Sequence, residues 1–322
     1  MPTQVLSIIA LPPAMREGLG RHYQLHDCAG GPDTVDWTAP ALAQVRAVVT
    51  NGSIGFTSQQ MDRLPGLAVI CAMGAGTENI DVEAAKARNI AVTNSAGANA
   101  ATVADHALGL ALALARGYRP ISERLARGEA WSSLRAPRPS LDKSRVGIIG
   151  MGQIGRMVAA RAAACGAAIA YHGPSAKSDA PGTYYPDLIE MARDSEFLFA
   201  CCPGGPRTRH LLDARVFEAL GPRGFVINVS RGTVLKTADL LEALRQGKLA
   251  GAGLDVLEEE PAPPPALVSE LAGMDNVLLT PHISGRSPAA VLVQLEILLE
   301  SLDDALAGRR PRYAVDRAGA EG

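Results

Sequence analysis

Three polar segments in the last third of the sequence contain side chains that can hold and protonate a small anionic molecule. These segments are Ser230-Arg231-Gly232, the run from Asp255 to Glu260, and Pro281-His282. Arginine binds a carboxylate through two parallel hydrogen bonds. Histidine is the usual proton donor near neutral pH, and a neighbouring carboxylate orients its ring. Chemistry alone leaves Glu258, Glu259 and Glu260 as equal candidates for that carboxylate.

Each of these segments begins at or just past the carboxyl end of a predicted strand. In this half of the chain, strands are predicted at residues 145–149, 167–171, 197–202, 225–229, 252–256 and 277–280. Helical segments separate the strands, which is typical of βαβ units and a parallel sheet. Such sheets bind ligands beyond the carboxyl ends of their strands, so we expect the three segments to meet there. The alternative is that Arg231 caps a turn and that the acid and His282 are ordinary loop residues.

The first part of the chain predicts a second unit of the same kind. Apolar runs at residues 5–10, 45–50, 67–71 and 90–93 read as strands and alternate with helical segments at 58–64 and 82–88. Residues 102–116 are apolar on nearly all sides, which indicates a buried helix. The chain after Arg309 is expected to fray. We therefore predict an α/β protein with two doubly wound parallel sheets.

The segment from Val146 to Gly155 contains a G-x-G-x-x-G pattern between a strand and a helix. Gly150 would form the tight turn, Gly152 would let the backbone approach a pyrophosphate, and Gly155 would let helix and strand pack closely. The predicted helix begins at Gln153, and the free N–H groups of its first residues, Gln153 and Ile154, can bind phosphate. In this context the motif predicts dinucleotide binding.

The end of the next predicted strand indicates which dinucleotide is bound. Sites for NAD usually have an acid there to hold the ribose 2′-hydroxyl, but this chain has Tyr171-His172 followed by Gly173, and Asp179 comes only later in the loop. Ser175 and Lys177 are candidates for binding a 2′-phosphate. The sequence therefore favours NADP as the cofactor. The alternative is NAD, in which case Lys177 is an ordinary solvated lysine of the loop.

Composition excludes several other classes of protein. The 322 residues include 31 Lys plus Arg and 33 Asp plus Glu, a net charge of −2, which argues against general attraction to nucleic acid or to a membrane surface. Five cysteines without a C-x-x-C pattern do not suggest disulfides or a zinc site. The longest apolar stretch, residues 107–115, is too short to span a bilayer, and the start of the chain lacks the features of a signal peptide. A cytoplasmic protein without a metal is expected.

The sequence resembles the D-isomer-specific 2-hydroxyacid dehydrogenases over nearly its whole length. The segments that carry the resemblance are Gly74 to Asp81, Val103 to Ala107, Gly150 to Gly155, Cys202-Pro203 with Thr208, Ser230 to Gly232, Asp255 to Pro261, and Pro281-His282. The absence of an acid after Tyr171 is similar to the glyoxylate/hydroxypyruvate reductase branch, which uses NADP. That branch usually has an Arg shortly after the histidine, where this chain has Pro174.

The resemblance implies NAD(P)-dependent reduction of a small 2-oxo acid to the D-2-hydroxy acid by a homodimer. It implies a flavodoxin-like substrate domain, residues 1–99 with 287–322, that contains an inserted Rossmann domain, residues 100–286. His282 would protonate the substrate, Glu260 would support His282, and Arg231 with the N–H groups around Ala75 and Gly76 would hold the substrate. The implied cofactor contacts are Thr102, Cys202, Pro203, Thr208 and Asp255.

Two other functions stay open at this point. One is a different D-2-hydroxyacid dehydrogenase, of the D-lactate or phosphoglycerate type. The other is a non-catalytic, dinucleotide-sensing protein similar to the transcriptional corepressors related to this family. The sequence shows no recognisable DNA-binding segment, which disfavours the second.

Overall fold

A computed structural model describes residues 2–315 of the chain. The chain forms two compact units, Met1–Asn99 with Arg286–Gly322, and Ala100–Gly285. The predicted domain boundaries differ from these units by one residue, at the return to the first unit. The assignment of the two units to substrate and cofactor stays a prediction.

The strands and helices alternate along both units. The strands are β1 (Gln4–Ser7), β2 (Gln24–Asp27), β3 (Val45–Asn51), β4 (Val69–Met73), β5 (Ala91–Asn94), β6 (Arg145–Ile149), β7 (Ala168–His172), β8 (Thr183–Tyr184), β9 (Phe197–Ala200), β10 (Phe225–Asn228), β11 (Gly251–Leu254) and β12 (Val277–Leu279). The helices are α1 (Pro13–Gly20), α2 (Ser58–Met61), α3 (Val82–Ala87), α4 (Ala100–Arg116), α5 (Tyr118–Ala126), α6 (Gln153–Ala164), α7 (Leu188–Arg193), α8 (Ala214–Leu220), α9 (Thr237–Arg245), α10 (Pro265–Gly273) and α11 (Pro288–Leu306).

Both sheets are parallel and doubly wound. The first unit has the strand order β2-β1-β3-β4-β5, and the second has the order β12-β11-β10-β9-β6-β7-β8. The first order is the flavodoxin-like one, and the second is the Rossmann order with an added strand at one edge. The predicted fold class is confirmed. Strands β1, β9, β10 and β11 are buried throughout, as expected where helices cover both faces of a parallel sheet.

Helix α4 owes its place to small side chains. Its buried positions include Ala104, Ala107 and Ala111, and it packs against α6 and against β10 and β11 of the same unit. A Cβ built at Gly253 of β11 would lie 3.0 Å from Cβ of Leu110, so a glycine lets the helix approach the sheet closely. The buried helix predicted from the Ala/Leu run is therefore present.

The structure departs from the predicted elements in several places. Strands β2 and β8 and helix α5 are short or largely solvent-exposed, and they lack the apolar runs on which the prediction depended. The prediction of fraying after Arg309 is wrong for residues 313–315: Val315 donates its N–H to the carbonyl of Val92 at 2.7 Å, and Asn94 donates to the carbonyl of Tyr313 at 3.2 Å. These bonds satisfy backbone groups at the outer side of β5. The rest of that prediction falls on residues 316–322, outside the described part of the chain.

Two further observations bear on the class of protein. Between residues 2 and 315, the helices are too short or too polar for any of them to cross a membrane. The five cysteines are free thiols.

Candidate active site

His282 and Glu260 form a hydrogen-bonded pair beyond the end of β12. The Nδ1 atom of His282 lies 2.7 Å from Oε2 of Glu260, and the other oxygen of Glu260 accepts the N–H of Leu257 at 2.9 Å. The glutamate is thereby fixed to its own loop, and it fixes the imidazole ring in turn. Since Nδ1 is engaged, Nε2 is the nitrogen that can give a proton to a bound molecule.

The backbone of His282 is held by the buried residue Asp255, which follows β11. Oδ1 of Asp255 accepts bonds from Oγ1 of Thr280 at 2.6 Å and from the N–H of Ile283 at 2.9 Å, and Oδ2 accepts the N–H of Ser284 at 2.9 Å. His282 has a φ of 53°, in the left-handed region that costs energy for any residue but glycine. The Asp255 carboxylate thus stabilises the unusual conformation of the loop that carries His282.

Asp255 is fully buried in the structure, with both oxygens engaged. Its role as a cofactor contact stays a prediction. Beside it, Nε2 of His106 lies 3.0 Å from Oγ1 of Thr280 and 3.7 Å from Oδ1 of Asp255. Sequence reasoning gave His106 no role. His106 lies on α4, within the segment Val103 to Ala107 that resembles the family. That resemblance was the one sign in the sequence that His106 belongs to the site.

Arg231 follows β10 on a turn that packs against the segment leading to Glu260. A Cβ built at Gly232 would lie 1.9 Å from the carbonyl oxygen of Leu257, so only glycine permits this approach. Nη1 of Arg231 donates to the carbonyl of Ser230 at 2.8 Å, and the stem of the side chain lies against Gly204, where a Cβ would be 2.7 Å from Cγ of Arg231. The two loops that carry Arg231 and Glu260 are therefore in direct backbone contact.

Glu258 belongs to a second histidine–glutamate pair. Its Oε1 lies 2.6 Å from Nε2 of His210, and its Oε2 accepts the N–H of Thr237 at 2.7 Å. Burial raises the pKa of the Glu258 carboxyl, but the hydrogen bonds from Thr237 and the contact with His210 outweigh burial, and the net pKa is below its ordinary value. His210 and His282 thus bind different glutamates, and Glu258 is engaged away from His282. The pairing of Glu258 with His210 was not predicted.

The three glycines of the phosphate loop differ in what surrounds them. A Cβ at Gly155 would lie 2.1 Å from the carbonyl oxygen of Gly150, and one at Gly150, which has a φ of +92°, would lie 2.6 Å from Cα of Cys202. A Cβ at Gly152 would meet no described atom within 4 Å. Within residues 2–315, no side chain caps the start of α6. An open glycine before uncapped helical N–H groups fits a dinucleotide pyrophosphate.

The other predicted cofactor residues lie in the same unit. Cys202 contacts the phosphate loop through Gly150, and Thr208 donates its hydroxyl to the carbonyl of Pro203 at 2.7 Å. Gln153 and Ile154 open α6, and Thr102 lies in the first turn of α4. Ser175 is exposed and Lys177 half-buried in the loop after β7.

Ala75 and Gly76, the predicted substrate contacts, lie in the first unit after β4. The N–H of Gly74 donates to Oγ of Ser95 at 2.7 Å, and Asn94 donates its side-chain amide to the carbonyl of Ala75 at 2.9 Å. A Cβ built at Gly76 would lie 2.3 Å from Oε2 of Glu78, so a carboxylate already lies against this turn. The binding of a substrate anion by this turn stays a prediction.

Comparison with known proteins agrees with this geometry. Residues 108–284 match the NAD-binding domain of the D-isomer specific 2-hydroxyacid dehydrogenases. A hydroxyphenylpyruvate reductase of Plectranthus scutellarioides is 33% identical over 307 residues, 95% of this chain and 96% of the relative. A glyoxylate/hydroxypyruvate reductase of Arabidopsis thaliana is 35% identical over 85% of this chain and 88% of the relative. The crystal structure of an NADPH-dependent glyoxylate/hydroxypyruvate reductase from Sinorhizobium meliloti, in complex with NADP and malonate, has a TM-score of 0.85 and 30% identity, covering 98% of this chain and 97% of that one.

The chain belongs to the family of D-isomer specific 2-hydroxyacid dehydrogenases. It is an oxidoreductase that uses a nicotinamide dinucleotide to interconvert 2-oxo acids and D-2-hydroxy acids. The family predicted from the motifs is therefore confirmed.

Proposed function

We propose that the protein reduces a small 2-oxo acid of the glyoxylate or hydroxypyruvate type with NADPH, and that it accepts NADH as a second cofactor. The observation that most supports the reduction is the 2.7 Å bond between Nδ1 of His282 and Oε2 of Glu260, which leaves Nε2 of His282 to donate a proton. The relatives named as glyoxylate/hydroxypyruvate reductases support the substrate class, and the NADP complex of the Sinorhizobium structure supports the cofactor.

The side chains divide the work in this proposal. The bound dinucleotide supplies the hydride. Arg231 binds the substrate carboxylate through its guanidinium, which places the carbonyl carbon for attack. His282 gives the proton on Nε2 to the carbonyl oxygen, and Glu260 stabilises the positive charge that the ring carries before that transfer. The N–H groups near Ala75 and Gly76 are proposed as further carboxylate donors. The open backbone at Gly152 and the start of α6 hold the pyrophosphate.

Aromatic 2-oxo acids are the second candidate substrates, because the Plectranthus relative is named as a hydroxyphenylpyruvate reductase. The test is a panel of glyoxylate, hydroxypyruvate, pyruvate and phenylpyruvate, each assayed with NADPH and with NADH by the loss of reduced-nicotinamide absorbance. We expect the highest kcat/KM with glyoxylate or hydroxypyruvate. Turnover of phenylpyruvate alone would overturn the small-acid proposal, and turnover of none would overturn the reaction.

The same assay with His282→Ala tests the proton donor. General acid catalysis contributes about 10²–10⁴-fold to rate, so we expect kcat to fall by that factor. His22→Gln, an exposed histidine of the first unit, is the matched control and should retain its activity. Retention of kcat by His282→Ala would exclude the proposed role.

The oligomeric state and location belong to the same proposal. We propose a homodimer, as the family resemblance of the sequence implies, and the exposed side chains of Tyr118 and Trp131 in the second unit are candidates for its contact surface. Light scattering should give twice the chain mass of 33.5 kDa. A mass equal to one chain at assay concentration would contradict it. The cytoplasmic location stays a prediction, which fractionation of cells that express the protein would test.

A further inference from the structure

Arg156 and Asp179 form an ion pair beside the phosphate loop. Arg156 lies in the first turn of α6, directly after Gly155, and Asp179 lies in the loop between β7 and β8. Nη1 of Arg156 donates to the carbonyl oxygen of Asp179 at 2.9 Å, and Nη2 donates to its Oδ1 at 2.8 Å. The arginine therefore binds the main chain and the side chain of the same residue.

A second cation lies near the Asp179 carboxylate. The hydrogen bond from Arg156 lowers the pKa of Asp179 below its ordinary value, and the charge of Lys177 acts in the same direction. The backbone of Lys177 is fixed by the hydroxyl of the buried Tyr171, which accepts the N–H of Lys177 at 2.8 Å and donates to its carbonyl at 3.2 Å. The Asp179 carboxylate is thus bonded to one cation, Arg156, and is influenced by the charge of a second, Lys177, whose backbone has a defined conformation.

This loop begins at the place where a dinucleotide ribose would lie. The N–H of Gly150, in the phosphate loop, donates to the carbonyl of His172, the last residue of β7, at 2.9 Å. In a sheet of this order, the ribose of the adenosine half of the dinucleotide lies over the end of this strand, and its 2′ position faces the loop that follows. A 2′-phosphate would therefore meet Arg156, which Asp179 already binds, and Lys177, which lies in the same loop.

We propose that Asp179 competes with the 2′-phosphate of NADP(H) for Arg156 and Lys177, and that it thereby sets the preference between NADP(H) and NAD(H). The Asp179 side chain is 77% exposed and that of Arg156 only 33%, so the carboxylate can leave while the arginine stays in place. The 2′-hydroxyl of NAD(H) is neutral and needs no such displacement. This inference rests on the proposed use of both cofactors.

The test measures binding of adenosine 2′,5′-bisphosphate and 5′-AMP by calorimetry, because the two ligands differ only in the 2′-phosphate. Asp179→Asn is expected to raise affinity for the bisphosphate about tenfold and to change affinity for 5′-AMP less than about twofold, as charge-assisted hydrogen bonds to Arg156 become free for the phosphate. Asp179→Ala should do the same. Arg156→Gln should lower bisphosphate affinity about tenfold, and Asp179→Asn should then add little in the double variant.

Glu218→Gln, which removes an exposed carboxylate from α8 in the same unit, is the control for a general charge effect. The inference is overturned if Asp179→Asn and Asp179→Ala leave the ratio of the two affinities within about twofold of wild type, or if Glu218→Gln raises it equally. These ligands carry neither nicotinamide nor substrate. A negative result here therefore leaves the reaction untouched, and a failure of the substrate panel leaves this binding result untouched.

Discussion

The main chain of His282 is bonded to that of Asp255: the N–H of His282 donates to the carbonyl oxygen of Asp255 at 2.8 Å. The side chain of Asp255 then accepts the N–H groups of the next two residues, Ile283 and Ser284. One buried residue thus binds three consecutive amides of the loop that carries the proposed proton donor. The position of the imidazole depends on β11 as much as on β12, which precedes it.

Asp255→Asn is expected to lower both stability and turnover. The new amide group would face a backbone N–H in place of an acceptor, and a buried unsatisfied donor costs about 1–3 kcal/mol. The free energy of unfolding, measured in urea, should fall by that amount, and kcat should fall at least about tenfold as His282 loses its position. Asp275→Asn, at an exposed carboxylate before β12, is the control. Wild-type stability in Asp255→Asn would show that the loop does not need this carboxylate.

Gly152→Ala and Gly155→Ala should fail in different ways. The Cβ of Gly152→Ala meets no described atom within 4 Å, so the variant should unfold at the wild-type temperature and yet lose affinity for NADPH and NADH alike. The Cβ of Gly155→Ala would lie 2.1 Å from the carbonyl oxygen of Gly150, so this variant should lose about 1–3 kcal/mol or more of stability. Thermal unfolding and fluorescence titration separate the two effects. Equal behaviour of the two variants would be inconsistent with the geometry of the loop.

Glu260→Gln should reduce kcat with little change in cofactor affinity. The glutamine can still accept the N–H of Leu257, but it removes the charge that faces His282. Charge-assisted hydrogen bonds contribute about 1.5–3 kcal/mol, which corresponds to a loss of about 10- to 100-fold in kcat. Glu259→Gln, the exposed neighbour, should behave as wild type. A larger loss in Glu259→Gln than in Glu260→Gln would reverse the assignment.

Glu258→Gln should change stability in a pH-dependent manner. The pKa of the Glu258 carboxyl is lowered in the folded protein, so its stabilising contribution is present above the ordinary value of 4.5 and is lost as pH falls through the lowered pKa. At about pH 7 we expect Glu258→Gln to be less stable than wild type by ~1 kcal/mol. This difference should shrink as pH falls below 4.5. Urea unfolding across this range measures it, and a difference that grows towards low pH would contradict the assignment.

Much of the fold and part of the site follow from local sequence. Strands β10 and β12 can be recognised from their apolar runs. The polar residues after them mark where they end, which places Arg231 and His282 at strand ends. The roles of Gly150, Gly152 and Gly155 can be predicted because each position of the G-x-G-x-x-G pattern requires glycine for a different reason. These features need only the residues close to them in the chain.

The pairing of histidines with glutamates could not be predicted from the residues alone. His210 and His282 both have a left-handed backbone, with φ of 52° and 53°. A histidine in the sequence does not by itself predict this conformation. The rotation of each loop decides which glutamate a histidine meets, and this depends on tertiary bonds such as those of Asp255. The bond between Arg156 and Asp179 was missed for a related reason. The conformation of the loop that carries Asp179 depends on the two-residue strand β8 after it, and β8 has no apolar pattern by which it could be predicted. The arginine directly after Gly155 was the only sign in the sequence of a charged group beside the phosphate loop.

The bond between Val315 and Val92 has a consequence for solubility. An outer strand with unpaired amides and carbonyls is a template on which another chain can add a strand, and this is a common start of aggregation. β5 is the outer strand on one side of the first sheet, and residues 313–315 occupy part of its free side. A chain shortened to end at Pro311 would leave that side open. The protein should then precipitate at concentrations that the 322-residue chain tolerates, even with every residue of the proposed active site in place.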